Sequence, residues 1–457
     1  MAFRPMKQIS LFIILFVYFS FTQAQEFPKE FEWCVATAGH QIEGDNIHSD
    51  WWQWEKTPGH IHNNEKSGKA SYHMDRLQED VNLMASIHVK TYRFSIEWSR
   101  IEPQQGQFDE KAIAHYKKEI ALLKKKNIKP MVTLHHFVQP HWFTSSGGWE
   151  RPDSPEIFLK YTEKVVAELG NEVDIWTTFN EPTVLLLGGY IFGVSPPGKS
   201  SWNFWTPMVN ILKAHAKAYH HLHKMAKQAG RTIQVGIAHH IRPIVAAGFL
   251  ESIGVPYADY LLNWNIPIAV TTGKLKGVIP RHFLGMTIPF PGEKTFEELK
   301  NTQDFIGINY YTREYIDLQF FPLNLIRDPL PHIKEKTVLN WGIDPEGFGE
   351  VITLAHKEFP TLPFYITENG LADKDDKYRA KYVVSHLKVL NETMNKLSHP
   401  IQGYCYWSLM DNFEWLEGFD PRFGLYEVDY KNKGERKARP SLEVIKNIFK
   451  TNTLPDL

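Results

Sequence analysis

The sequence predicts an α/β fold, a single (β/α)8 barrel with long βα loops, from three observations. Short apolar runs recur along the chain, segments with helical periodicity separate them, and no low-complexity linker divides the series into two domains. Parallel strands need a covering crossover and a sheet loses both edges only by closing, so eight such repeats imply the TIM barrel arrangement. At 457 residues the chain exceeds the roughly 250 of a typical barrel, which places the surplus in connections.

The elements follow in order. Trp33 to Ala36 is the first expected strand, and Val81, Leu83 and Met84 mark a helix over Ser71 to Ser86. Thr91 to Ser95 is the second strand. Ile113, Tyr116, Ile120 and Leu123 line one face of a helix over Glu110 to Lys126, which leaves the lysines of LLKKKNIKP as a solvated surface. The third strand is Lys129 to Leu134, followed by a helix over Pro155 to Leu169. Val173 to Phe179, mostly apolar, β-branched or aromatic, reads as a fourth strand covered on both faces. A helix over Trp205 to Gln228 leads to strands at Ile233 to Ala238, Asp304 to Ile308 and Pro363 to Thr367. Lys377 to Leu397 is the last of these helices, and Ile401 to Trp407 the eighth strand. The surplus is expected around Pro196-Pro197 (Gly193 to Ser201) and in Phe320 to Asn340.

Bulk composition narrows the function. Lys plus Arg is 51 and Asp plus Glu 52, a formal net charge of -1, so no basic excess draws the chain to nucleic acid or anionic lipid. Fourteen Trp and 29 Phe exceed what a core of this size needs and suggest a cleft lined with flat apolar faces. At the N-terminus Arg4 and Lys7 precede an apolar stretch from Ile9 to Phe21, and Thr22-Gln23-Ala24 supplies small residues for cleavage. That run is shorter than the about 20 residues of a membrane span, so residues 1–24 are expected to be a secretory signal peptide and 25–457 an exported catalytic domain. With only Cys34 and Cys405 no disulfide framework is expected; both lie in expected strands as buried thiols, and pairing turns on their Cα separation. Asn391-Glu392-Thr393 is a glycosylation sequon if a eukaryote made the chain.

In such a barrel chemistry collects where the strands end and the βα loops converge. Gln41 follows the first strand, the second carries Arg93, and the third delivers His135 and His136. The fourth delivers Asn180 and Glu181, the sixth Asn309, Tyr310 and Tyr311, the seventh Glu368, and the eighth Trp407, Glu414 and Trp415. Pro182 keeps Glu181 out of the helical region, at the end of its strand. Taken alone, Glu181 reads more simply as an ordinary loop charge, and Asn369-Gly370 equally as a turn at positive φ with Glu368 incidental. Together, on strands roughly opposite in the ring, the two glutamates suit glycosidic bond cleavage, where one protonates the leaving oxygen while the other attacks or activates water.

With QIEG, RFSIEWSR, TFNEP, INYY, ITENG and WSLMDNFEW in this order, the chain resembles glycoside hydrolase family 1, the β-glucosidase and β-glycosidase family, from FPKEFEWCVATA to FGLYEVDY. The resemblance implies a retaining exo-β-glycosidase without cofactor or metal, acting on a small β-glycoside. Glu181 would be general acid and then base, and Glu368 the nucleophile, kept ionised by Arg93. Tyr311 would hydrogen-bond the nucleophile and Asn180 hold the sugar 2-hydroxyl. Gln41, His136, Asn309, Glu414, Trp415 and Phe423 match substrate-binding positions, and Trp407 the platform under the ring. A glutamate at 414 implies unphosphorylated sugars, because a carboxylate beside a phosphate is repulsive. The chain departs from the family at TLHHFVQP, where Phe137 and Val138 replace the usual Trp and Asp, and at TAGHQIEG. The HHF pattern is similar to some archaeal β-glycosidases and some lipid-directed members, which leaves the choice among glucoside, galactoside, mannoside and fucoside, and the leaving group, open.

Other readings compete. Twenty-one histidines, with pairs at His135-His136, His220-His221 and His239-His240, raise a metal-dependent hydrolase, but neighbours on a strand point to opposite faces and no HExxH is present. A silent carbohydrate-binding barrel would not need both glutamates. A transglycosylase acting on glycolipid or alkyl glycosides differs from a hydrolase only in acceptor affinity and water access.

Overall fold

In the computed structural model, residues 25–201, 204–276, 282–283, 286–287, 292–316, 326–327, 335–397 and 400–455 are described. The expected signal peptide lies outside the described residues, as does most of Phe320 to Asn340. Eight parallel strands close into a barrel: β1 (Glu32–Ala36), β2 (Thr91–Ser95), β3 (Lys129–His135), β4 (Ile175–Asn180), β5 (Gln234–His240), β6 (Phe305–Asn309), β7 (Phe364–Asn369) and β8 (Ile401–Trp407). They pair in chain order round the ring, and β1 closes on β8. Two strands separate β4 from β7 on one side and four on the other.

The expected helices form at His73–Ser86, Glu110–Lys125, Ser154–Leu169, Trp205–Gln228 and Arg379–Leu397. Ile113, Tyr116, Ile120 and Leu123 are all buried, as their spacing requires, and Lys124, Lys125 and Lys126 are exposed. The strands differ from expectation at both ends: at the N-terminal end β1 starts one residue earlier and β4 to β7 start one or two later, and at the C-terminal end several extend. β3, β5, β6 and β7 run one or two residues further, and β4 takes in Asn180. Hydrophobic patterning stops where polar residues begin, whereas the backbone ladder continues because those side chains find buried partners, Asn180, Asn309 and Glu368 at the mouth and His135 and Asn369 in the surrounding core.

The cysteines correct the sequence reading. Cys34 and Cys405 are direct register partners across the β1–β8 seam, with Cα atoms 4.1 Å apart, and they form a disulfide rather than two free thiols. Sequence separation of 371 residues hides a proximity that only barrel closure creates. The Asn391 sequon is also not accessible. That side chain is buried and donates to the Glu26 carbonyl at 2.8 Å. Among the described residues no helix is long and apolar enough to cross a membrane.

Candidate active site

Glu181 sits one residue beyond β4 at φ 43° and ψ 57°, a left-handed conformation that a non-glycine residue adopts only under constraint. Pro182 opens the short helix Pro182–Leu186, so the chain must pass from strand to helix through Glu181. Its amide donates to the Ala238 carbonyl at 2.7 Å, which pins it to β5. Glu368 lies within β7. The alternative of a positive-φ turn at Asn369-Gly370 is not realised, for neither residue has positive φ. Gly370 is required by close approach instead: a Cβ there would stand 1.7 Å from the Trp407 carbonyl oxygen. Asn369 is saturated, donating to the Tyr310 carbonyl and the Tyr382 hydroxyl and accepting from the Tyr404 hydroxyl, each at 2.8 Å.

One hydrogen-bonded path joins the two glutamates. Arg93 donates to Glu368 Oε1 at 2.5 Å and to Asn180 Oδ1 at 2.6 Å. Asn309 Nδ2 donates to the same Asn180 oxygen at 3.1 Å and to Glu181 Oε1 at 2.7 Å, while Thr367 donates to Asn309 Oδ1 at 2.6 Å. The Tyr311 hydroxyl donates to Glu368 Oε2 at 2.7 Å. The two carboxyls are therefore solvated differently. Both oxygens of Glu368 accept, one from a guanidinium, whereas Glu181 receives one amide hydrogen. Burial, and then the charge of Glu368, push Glu181 up to about 8.

The aromatic walls stand around this pair. Trp407 at the end of β8 stacks on His136 with centroids 5.9 Å apart, and Trp415 stacks on the same ring at 6.0 Å. Phe423 packs edge-on to Tyr311 at 6.0 Å. Glu414 and Trp415 come from the loop after β8, not from the strand, and Gln41 from the short helix Gly39–Ile42. Gln41 Nε2 donates to Glu414 Oε2 at 3.1 Å. Burial, then Glu368, hold Glu414 up near 8. Gln41 Oε1 and His136 Nδ1 are buried with no protein partner. The adjacent histidines separate as strand geometry demands: His135 packs outward against Trp149 and Phe179, and His136 faces the mouth.

Residues 23–454 match the family model described as glycosyl hydrolase family 1. The chain belongs to glycosyl hydrolase family 1. It is similar to a 1,4-beta-D-glucan glucohydrolase of Thermotoga neapolitana, 31% identical over 94% of this chain and all of that protein. Among solved structures it resembles a beta-glycosidase from Pyrococcus horikoshii, 36% identical with a TM-score of 0.84 over 95% of this chain and 97% of the other. A family 1 b-glucosidase from Thermotoga maritima aligns with a TM-score of 0.85 at 29% identity, covering 95% of this chain and all of that one.

This glycosyl hydrolase also brings near Tyr311 and Glu181 residues to which sequence reasoning gives no sugar-site role. β5 contributes His240 and, just beyond it, Arg242, whose charge bears on Glu181. The HHIRP run after β5 holds the available signal, in the arginine that follows its two histidines. Trp341 is the other omission. It lies 5.3 Å from Tyr311 and 6.2 Å from Phe423, extending the aromatic wall from a connection with no strand or helix motif of its own.

Proposed function

We propose that this glycoside hydrolase is a retaining exo-β-glycosidase of the β-glucosidase type, with Glu368 as nucleophile and Glu181 as acid and then base. The observation that carries the reading is the pair of unlike environments. A carboxylate held by Arg93 and Tyr311 faces the same mouth as a carboxyl kept protonated by burial and by its neighbour's charge.

The chemistry follows from that difference. A pyranose stacked on Trp407 presents hydroxyls to Gln41 Oε1, His136 Nδ1 and Glu414, the first two of which have no protein partner. Glu181 gives its proton to the glycosidic oxygen as Glu368 bonds to the anomeric carbon from the opposite face. Esterification then removes the charge on Glu368, the main neighbouring charge holding Glu181 up, so Glu181 becomes a base and deprotonates the incoming water. Two inversions leave the product with β configuration. The named relatives are hydrolases, which favours neither a silent binding barrel nor a dedicated transglycosylase.

Proton NMR of the first turnovers on a nitrophenyl β-glucoside tests the reading: the β-anomer is expected to appear first and the α-anomer only by mutarotation. An α-anomer formed first would exclude double displacement. In a panel of nitrophenyl β-glycosides the 6-phosphoglucoside is expected to be the poorest substrate, by about 100-fold or more in kcat/KM. The strongest neighbouring titratable groups acting on Glu414 are acidic, Glu368 first among them, and no cation is among them, so a phosphate there would meet the Glu368 carboxylate.

Export is part of the same proposal. The family match begins at residue 23, directly after the apolar N-terminal stretch, and a disulfide suits an oxidising compartment. N-terminal sequencing of the protein recovered outside the cytoplasm is expected to start near Gln25, and a mature chain retaining Met1 would refute cleavage.

A further inference from the structure

Arg242 is a basic side chain near Glu181 that takes no part in holding Glu368. It follows β5, whose end lies between those of β4 and β6: the Glu181 amide donates to the Ala238 carbonyl at 2.7 Å, and the Ile241 amide to the Asn309 carbonyl at 3.1 Å. One side chain clamps the Arg242 backbone from both directions. The Arg242 amide donates to Asn263 Oδ1 at 3.2 Å, and Asn263 Nδ2 donates back to the Arg242 carbonyl at 2.7 Å. The guanidinium is buried, with Nη1 donating to His240 Nδ1 and Nε standing 2.7 Å from Glu314 Oε1. Glu314 is delivered by its own backbone: its amide donates to the Pro243 carbonyl at 3.0 Å, and it pairs in parallel with Ile244 in a small mixed sheet. Burial and then Arg242 hold the His240 ring well below the usual imidazole range, so it accepts the hydrogen bond as a neutral ring.

This construction fixes a buried cation just after β5, where its charge bears on Glu181, and partly neutralises it with the Glu314 carboxylate. We propose that Arg242 is a positioning residue for Glu181 and that Glu314 sets how much of its positive charge the acid/base carboxyl feels. The proposal rests on the role of Glu181 given above. The groups facing Glu181 are Glu368 from β7, Arg93 from β2, Asn309 from β6 and Arg242 after β5, with Tyr311 and Glu414 further round the mouth. Glu368 opposes ionisation of Glu181, and Arg242 and Arg93 favour it; Arg242 is among the charges acting most strongly there and Glu314 is not. Arg93 is committed to Glu368 and Asn180. Arg242 thus favours the carboxylate independently of the nucleophile, and this attraction persists when Glu368 is esterified and Glu181 has to act as a base. Glu314 titrates as well, raised by burial and lowered by Arg242, and its replacement by glutamine removes that titration with the charge.

The test is the alkaline limb of kcat/KM for an alkyl β-glucoside, whose leaving group needs a proton. Arg242→Gln is expected to move the limb to higher pH, and Glu314→Gln, by unmasking the guanidinium, to lower pH, each by about half a unit or more. Arg242→Lys, which keeps the charge, is expected to leave the limb near its wild-type position. An ion pair that served only to hold the loop would depress activity in both variants without moving their limbs apart. Limbs that stay put, or that move together, overturn the proposal. If Arg242→Gln does not fold, a downward shift in Glu314→Gln with Arg242→Lys unchanged supports it, and any other pattern overturns it. Glu181→Gln separates the two readings. A limb that survives in that variant shows that Glu181 is not the acid, whereas a limb that vanishes there while the Arg242 and Glu314 variants fail to diverge rejects this proposal alone.

Discussion

Glu368→Gly is expected to lower kcat/KM by about four orders of magnitude or more, and azide is expected to restore turnover by forming an α-glycosyl azide. The loss is large because no other carboxylate is held where the anomeric carbon is attacked: Arg93 and Tyr311 converge on Glu368 alone. With glycine at 368 the space left by the side chain admits a small anion, and the Arg93 guanidinium, losing its carboxylate partner, favours an anion there. Azide then attacks from the nucleophile's face while Glu181 still protonates the leaving group. One inversion gives the α product, seen by NMR or mass spectrometry. A variant that kept wild-type turnover, or an azide adduct of β configuration, would remove Glu368 from the nucleophile's position.

Glu181→Ala is the second. For an alkyl β-glucoside kcat/KM is expected to fall by about 10²- to 10⁴-fold, the usual worth of a positioned acid. For a dinitrophenyl glucoside, whose leaving group departs unaided, the first step is expected to survive and the glycosyl-enzyme to accumulate. The sign of the pH dependence follows from the raised value. Glu181 is pushed up to about 8, so the protonated, active form dominates below that pH and is lost above it. The alanine variant is expected to lack this alkaline limb. Azide, attacking the glycosyl-enzyme in the second step, is expected here to give the β-glycosyl azide, the opposite anomer from that of Glu368→Gly. Equal losses for good and poor leaving groups would show that Glu181 does something other than protonate the departing oxygen.

Much of this arrangement is legible in the chain because the information is local. Asn180-Glu181-Pro182 states its own geometry: a strand has to stop before a residue without an amide hydrogen, and the residue between is forced out of the helical region. The ITENG motif likewise places Glu368 on β7, next to the end of its strand. Its glycine is less legible. In sequence Gly370 has the look of a turn residue, whereas in the fold it lets the Trp407 carbonyl approach. That contact joins two strands distant in sequence, and no property of Gly370 itself reveals it. The disulfide is hidden for the same reason, and so is Arg242, whose significance depends on Asn263 and Glu314 arriving from two other segments.

By itself the sequence determined the eightfold alternation of strand and helix, the family motifs, and which side chains stand at the strand ends, since hydrophobic period, proline and short motifs act over a few residues. Only the tertiary structure decided that Cys34 meets Cys405, that Asn180 is shared by Arg93 and Asn309, and that Glu181 is pushed towards the protonated form. These depend on burial and on charges brought together by closing the ring, quantities that belong to distances in space and not to the order of residues along the chain.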